Sequence, residues 1–190
     1  MAEQLCNLYF FLPGINKLAA RSPILVQSLI FGGMSMSSIE EYLSSHSFFS
    51  GLDDAYVKFL SDCATKMKVK DGDSLFKQGQ KADKFYLLRS GHISIQIPAL
   101  MGPTLDIQTL GADQILGWSW LISPYRWSFQ ARAIEDTEVI EFDGSAILAR
   151  CEEDPAFGYE LFKRFAALMS ERLDAARQKM MDQWDPPGFA

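Results

Sequence analysis

Apolar positions along the chain change their period twice. From Ser38 to His46 they fit a short helix, opened by Ser38 and Glu41 as a capping box. After Ser47-Phe48-Phe49-Ser50-Gly51-Leu52, Asp53 is placed to cap a second helix predicted to run to about Met67. Tyr56, Phe59, Leu60 and Cys63 share one face of it, and Cys63 reads as a small buried hydrophobe. Beyond Lys68 the period drops to two. His92-Ile93-Ser94-Ile95-Gln96-Ile97 alternates strictly, as do Leu105–Leu110, and further short runs follow at Ser128–Ala133 and Thr137–Phe142. Short strands divided by Gly-bearing turns, with no helices between them, predict a mainly β domain of sandwich or jelly-roll type over about 69–143.

At Asp154, followed by Pro155, the helical period returns and predicts a helix over 155–183, ended by Pro186-Pro187-Gly188. Leu161, Phe165, Leu168/Met169, Leu173, Ala176, Met180 and Trp184 form its apolar stripe. Lys163, Arg164, Glu171, Arg172, Asp174, Arg177, Lys179 and Asp182 are assigned to the opposite face. At 1.5 Å rise per residue the stripe is about 35 Å long, more than a small barrel covers. Its far half needs a second surface: a second copy of the helix, or the apolar N-terminal segment folded back.

That segment, residues 1–35, carries one acid (Glu3) and two bases (Lys17, Arg21), against a net charge of -6 for the 190 residues. Its apolar run Pro23–Phe31 is too short to span a membrane, so no span is expected. Three readings stay open: an arm packed on the domain, a start assigned too early, or an interfacial segment. The division expected is 1–35, then 36–153 as a β-roll with leading helices, then 154–190 as a C-terminal helix. The acidic balance argues against a nucleic-acid surface. Three scattered Cys and two His suggest neither disulfides nor a metal cage. No Gly-x-Ser-x-Gly elbow, His-Glu-x-x-His, phosphate loop or dinucleotide fingerprint occurs, so an enzyme is not expected.

The aromatic content is high, with fourteen Phe, six Tyr and four Trp, three of the Trp between residues 118 and 127. Around it stand three ordered motifs: Phe48-Phe49-Ser50-Gly51-Leu52, then Gly72-Asp73-Ser74-Leu75-Phe76-Lys77-Gln78-Gly79, then Phe85-Tyr86-Leu87-Leu88-Arg89-Ser90-Gly91. In this order and spacing, from about Tyr42 to Leu173, the chain resembles the cyclic-nucleotide-binding domain of catabolite-activator-type regulators, protein kinase A regulatory subunits and gated channels. The resemblance implies a double-stranded β-helix, or jelly roll, with flanking helices. It also implies a phosphate-binding cassette: a strand end, a short helix whose N–H groups face the phosphate, and an Arg that pairs with the anion.

The cassette departs from the family. Gly117 and Leu121 match, but the family's ribose-binding Glu is replaced by Trp118, whose indole can only donate. The Arg position falls on Trp127 in an ungapped count, with Arg126 one residue early. The candidate ligand site is therefore Gly117, Trp118, Ser119, Trp120, Leu121, Arg126, Trp127 and Ser128, with Arg126 the candidate anion partner. Trp118, Trp120, Tyr125 and Trp127 either line an altered pocket or plug a former one. Arg132 is expected to face outward, and His46 and His92 to do no chemistry. No cofactor or metal is implied; a cyclic nucleotide is a possible ligand and an altered one is preferred. With six residues after Trp184, the helix-turn-helix module of the family's transcription factors is not expected. The function implied is a stand-alone cytoplasmic sensory or regulatory module that dimerises through its C-terminal helix and acts on a protein partner. The alternative is an interaction module with a filled pocket and no ligand.

Overall fold

The computed structural model describes residues 38–98 and 104–183. The N-terminal segment 1–35 and Trp184 lie outside the described residues.

Helix α1 (Ile39–Ser45) begins at the expected capping box, with Ser38 Oγ accepting from the Glu41 amide at 3.1 Å and the Glu41 carboxylate accepting from the Ser38 amide at 2.9 Å. A single 3-10 turn, Ser47–Phe49, follows. Buried His46 fixes this corner: its Nδ1 accepts from the Phe48 amide at 3.1 Å and its Nε2 donates to the Asp113 carbonyl at 2.9 Å. With both ring nitrogens committed, His46 is a strut. Helix α2 (Asp54–Asp62), capped by Asp53 at 2.8 Å, is shorter than its pattern suggests. The chain turns at half-buried Cys63, and Ala64–Val69 becomes strand β1 because every one of its residues finds a partner on the last strand, from Ala64 opposite Phe142 to Val69 opposite Thr137. Met67 is thus a strand residue.

Seven further strands follow: β2 (Ser74–Phe76), β3 (Lys84–Ser90), β4 (Ile93–Ile97), β5 (Leu105–Leu110), β6 (Ile115–Leu116), β7 (Gln130–Ala133) and β8 (Thr137–Asp143). They form two four-stranded antiparallel sheets, ordered β1-β8-β3-β6 and β2-β7-β4-β5. This is a β-sandwich core of jelly-roll type with flanking helices. Corner glycines allow the sheets to close. At Gly91, with φ +80°, a Cβ would come within 2.8 Å of the Thr137 Cα and 2.9 Å of the Asp136 carbonyl.

A helix absent from the sequence reading, α3 (Gly144–Glu153), starts directly at the end of β8. Asp143 closes the strand and caps the helix, accepting from the Ser145 and Ala146 amides at 3.0 and 3.1 Å. Helix α4 (Pro155–Gln183) then runs 29 residues, with Asp154 accepting from the Phe157 amide at 3.2 Å. Its inner face carries Phe157, Leu161 and Phe165, all fully buried.

Around Phe165 the core becomes an aromatic assembly. Its ring meets Phe48, Phe85 and Trp120 edge-on at 5.1, 5.3 and 5.5 Å, and Phe85 stacks on Phe142 at 4.3 Å. One side chain of α4 therefore joins the 3-10 turn, the sheet and the loop after β6. Further along, α4 fastens itself by cations to backbone carbonyls: Arg164 to Ser50 at 2.8 Å, Arg172 to Ile115 at 3.2 Å and Lys179 to Ile107 at 3.0 Å. Among the described residues no helix is long and apolar enough to cross a membrane.

Replacing Phe165 by Ala should lower unfolding stability by about 3–5 kcal/mol, the usual cost of deleting a buried aromatic ring. The exposed neighbour Lys163, changed to Ala, should stay within about 0.5 kcal/mol of the parent. Urea melts of the three proteins measure both.

Candidate functional site

The loop between β6 and β7 holds all eight cassette positions, and it contains turns with no helix. Leu121 donates to the Trp118 carbonyl at 3.0 Å and Tyr125 to the Ile122 carbonyl at 3.0 Å, so two of the loop's amides close turns. The Ser123–Pro124 peptide bond is cis, and Tyr125 has φ +55°.

Three tryptophans in this loop take three different places. Trp120 turns inward and is 2% exposed, stacked on Phe85 at 5.4 Å and lying over Gly144. Its indole N–H is buried without an acceptor, at a cost of about 1–3 kcal/mol that ring packing must offset. Trp127 is also buried and stacks on Phe76 at 3.7 Å with an 11° interplanar angle. Its ring lies against Gly117, where φ is +92° and a Cβ would sit 2.8 Å from the ring edge. Trp118 is half-buried and faces a cavity.

That cavity, about 310 Å³, lies between the β-roll and the second half of α4. From the loop it is lined by Gly117, Trp118, Ser119, Trp127 and Ser128. The roll contributes Ile95, Ile107 and Leu110 among others, and α4 closes it with Met169, Arg172, Leu173 and Ala176. A second and wider groove, about 710 Å³, opens on the other side of the Phe76–Trp127 pair and is bordered by Lys68, Lys77, Lys81 and Lys84 with Asp73, Asp83 and Glu141. The stacked pair is a partition: its two rings line both spaces.

Five of the eight candidate residues are thus brought together on one cavity, and three are not. Trp120 belongs to the core, and half-buried Leu121 packs against it. Arg126 is exposed and donates to the Gly79 carbonyl at 2.8 Å, pairing across to Lys81 as an isolated bridge. The cation in the cavity is instead Arg172. Its charge suggests the polar face of the helix, yet it continues the inward series Leu161, Phe165 and half-buried Leu168 at spacings of three and four, the signal by which it could be found. Arg132 faces outward as expected, donating to the Gly72 carbonyl at 2.8 Å. His92 is exposed and contacts Glu135. Burial pushes the Cys63 thiol up and holds the Cys151 thiol at about 11, so neither offers a thiolate near neutrality.

Residues 66–154 match the cyclic nucleotide-binding domain family. In Bacillus subtilis (strain 168) the anaerobic regulatory protein is 26% identical over 126 residues, which is 66% of this chain and 51% of that protein. A Mycobacterium tuberculosis (strain H37Rv) protein is 31% identical over 81 residues, 43% of this chain and 15% of its own length. The chain therefore spans about half the length of the Bacillus relative and much less of the mycobacterial one. Among solved structures, a protein from Geobacter metallireducens GS-15 described as cyclic nucleotide-binding superposes with a TM-score of 0.63 at 28% identity, covering 70% of this chain and 97% of that one. The Thermus thermophilus catabolite activator protein gives 0.57 at 26%, covering 70% and 61%. Residues 66–154, a little under half of the chain, thus match a cyclic nucleotide-binding domain, and the fold is of that type. Domains of this kind are regulatory and non-catalytic, in line with the expectation that the chain is not an enzyme.

Gly117→Ala should destabilise the protein by roughly 1–3 kcal/mol, from the positive φ alone. The added methyl should also lift Trp127 off Phe76. Near-ultraviolet circular dichroism reads that displacement, and an unchanged aromatic spectrum would show that the partition does not depend on the missing Cβ.

Proposed function

We propose that this chain is a cytoplasmic sensory module that binds a small molecule other than a cyclic nucleotide between its β-roll and α4, dimerises through α4, and passes the binding event to a protein partner. One observation carries the reading. Met169, Leu173 and Ala176, which close the cavity, also belong to a regular series on α4: Tyr159, Phe162, Ala166, Met169, Leu173, Ala176, Met180. The spacing alternates three and four throughout, the seam of a two-stranded coiled coil. Four of its large members are well exposed: Tyr159 at 63%, Phe162 at 51%, Leu173 at 69% and Met180 at 62%. This series is offset from the inner stripe through Leu161 and Phe165, so α4 has one apolar face for the roll and a second for another helix. A ligand in the cavity would press on the second face from below, which is how binding is expected to alter what α4 presents. The ligand-free interaction module remains the second reading, supported by the Phe76–Trp127 partition and the burial of Trp120.

Two measurements test this. Cyclic AMP should bind with a dissociation constant above about 100 µM or not at all, because Arg126 is spent on a backbone carbonyl and position 118 offers no acceptor. Submicromolar calorimetric binding would reverse that reading. For assembly, light scattering of the parent should give about twice the 21.4 kDa chain mass. Phe162→Glu with Met180→Glu should bring it to one chain mass while the β-rich spectrum persists; a parent that is already monomeric would remove the dimer and favour the N-terminal arm as the cover.

A further inference from the structure

We propose that the cavity takes a compact aromatic carboxylate whose charge is met by Arg172; this rests on the ligand-pocket reading above. Arg172 is the one charged side chain among the described residues that line the cavity. Its hydrogen-bond partner is neutral: Nη2 donates to the Ile115 carbonyl at 3.2 Å, leaving most of the guanidinium fork uncommitted. Asp113 and Glu171 border a neighbouring hollow that Arg172 also reaches, yet neither forms an ion pair with it. Burial lowers the guanidinium pKa, and only the field of adjacent Glu171 acts in the opposite sense. A half-buried cation facing apolar walls is costly, and an incoming anion relieves that cost through paired, charge-assisted hydrogen bonds.

The rest of the cavity sets the remainder of the ligand. Phe76, Trp118 and Trp127 supply aromatic wall, and Ile95 and Leu110 supply aliphatic wall. The volume of about 310 Å³ stands at the small end of ligand pockets, which run from about 300 to 1,000 Å³. One guanidinium matches one planar carboxylate in charge and in geometry. Ser119, Ser128 and Gln108 also line the cavity and could meet a second polar group on the ligand. The anion would be held by α4 itself, one residue from Leu173 of the exposed series, so the ligand's charge would act directly on the helix proposed to dimerise.

Titration of the full chain, followed by tryptophan fluorescence and calorimetry, can compare naphthoate with naphthamide and phenylbutyrate with phenylbutyramide. Each acid should bind about tenfold or more tightly than its uncharged amide, the worth of one charge-assisted pair. Arg172→Gln should remove that preference, leaving acid and amide alike, and Arg172→Lys should restore part of it. Equal affinity of acid and amide for the parent, or an acid preference that survives Arg172→Gln, overturns the role of Arg172 while leaving the pocket in place. Failure of all four probes to bind the folded parent up to about 5 mM overturns the pocket reading together with the inference. Should Arg172→Gln fail to fold, the comparison of acid with amide on the parent still decides.

Discussion

The packing of one helix against one sheet through Phe165 is the constraint from which the remaining geometry follows. Its ring is the meeting point of Phe48 from the 3-10 turn, Phe85 from β3 and Trp120 from the cassette loop. A loop of turns and no helix has little order of its own. It is held because Trp120 is clamped between Phe85, Phe165 and the bare Cα of Gly144. The price of that clamp is an indole N–H with no acceptor, and the burial of so large a ring, worth several times 1 kcal/mol, outweighs it. Once Trp120 is fixed, Trp118 two residues earlier is left to face the cavity.

Much of the fold was legible because it depends on local chemistry. Ser38 and Glu41, Asp53, and Asp154 with Pro155 announce helix starts through the groups they satisfy, and the glycines at corners announce turns. What was not legible depends on partners far along the chain. Ala64–Val69 carries a pattern that fits either a helix end or a strand, and the row of hydrogen bonds offered by β8 decides it. Helix α3 begins without a break from a strand, where Asp143 serves both elements. In the site, Trp118 and Trp120 could not be assigned separate faces from spacing alone, since a loop has no period. Arg172 was hidden by its residue type: a charged side chain among charged neighbours reads as solvated, although its position continues the inward series.

On the proposed reading, the pocket is displaced relative to the family pattern and not simply lost. Trp127, where an anion-binding Arg is expected, stacks on Phe76 and divides the interior in two. The positive charge has moved from the loop at Arg126, now tied to a backbone carbonyl, to the helix at Arg172. The two positions differ in what a ligand could pull on. A charge on the loop acts on the helix through intervening packing, whereas a charge on α4 needs no relay.

The cations of α4 have a further consequence for how the chain survives crowding. In the two sheets, β5 and β6 are edge strands, and each takes one hydrogen bond from α4. Arg172 donates to the Ile115 carbonyl of β6 and Lys179 to the Ile107 carbonyl of β5. Unpaired edge carbonyls are templates for pairing with a stranger's strand, and a covering helix is one of the ways proteins blunt them. A change that peels the far half of α4 away would bare two edges at once, together with the apolar cavity walls between them. The helix that closes the pocket is therefore also a guard against aggregation, and any motion used for signalling has to stay small enough to keep both edges covered.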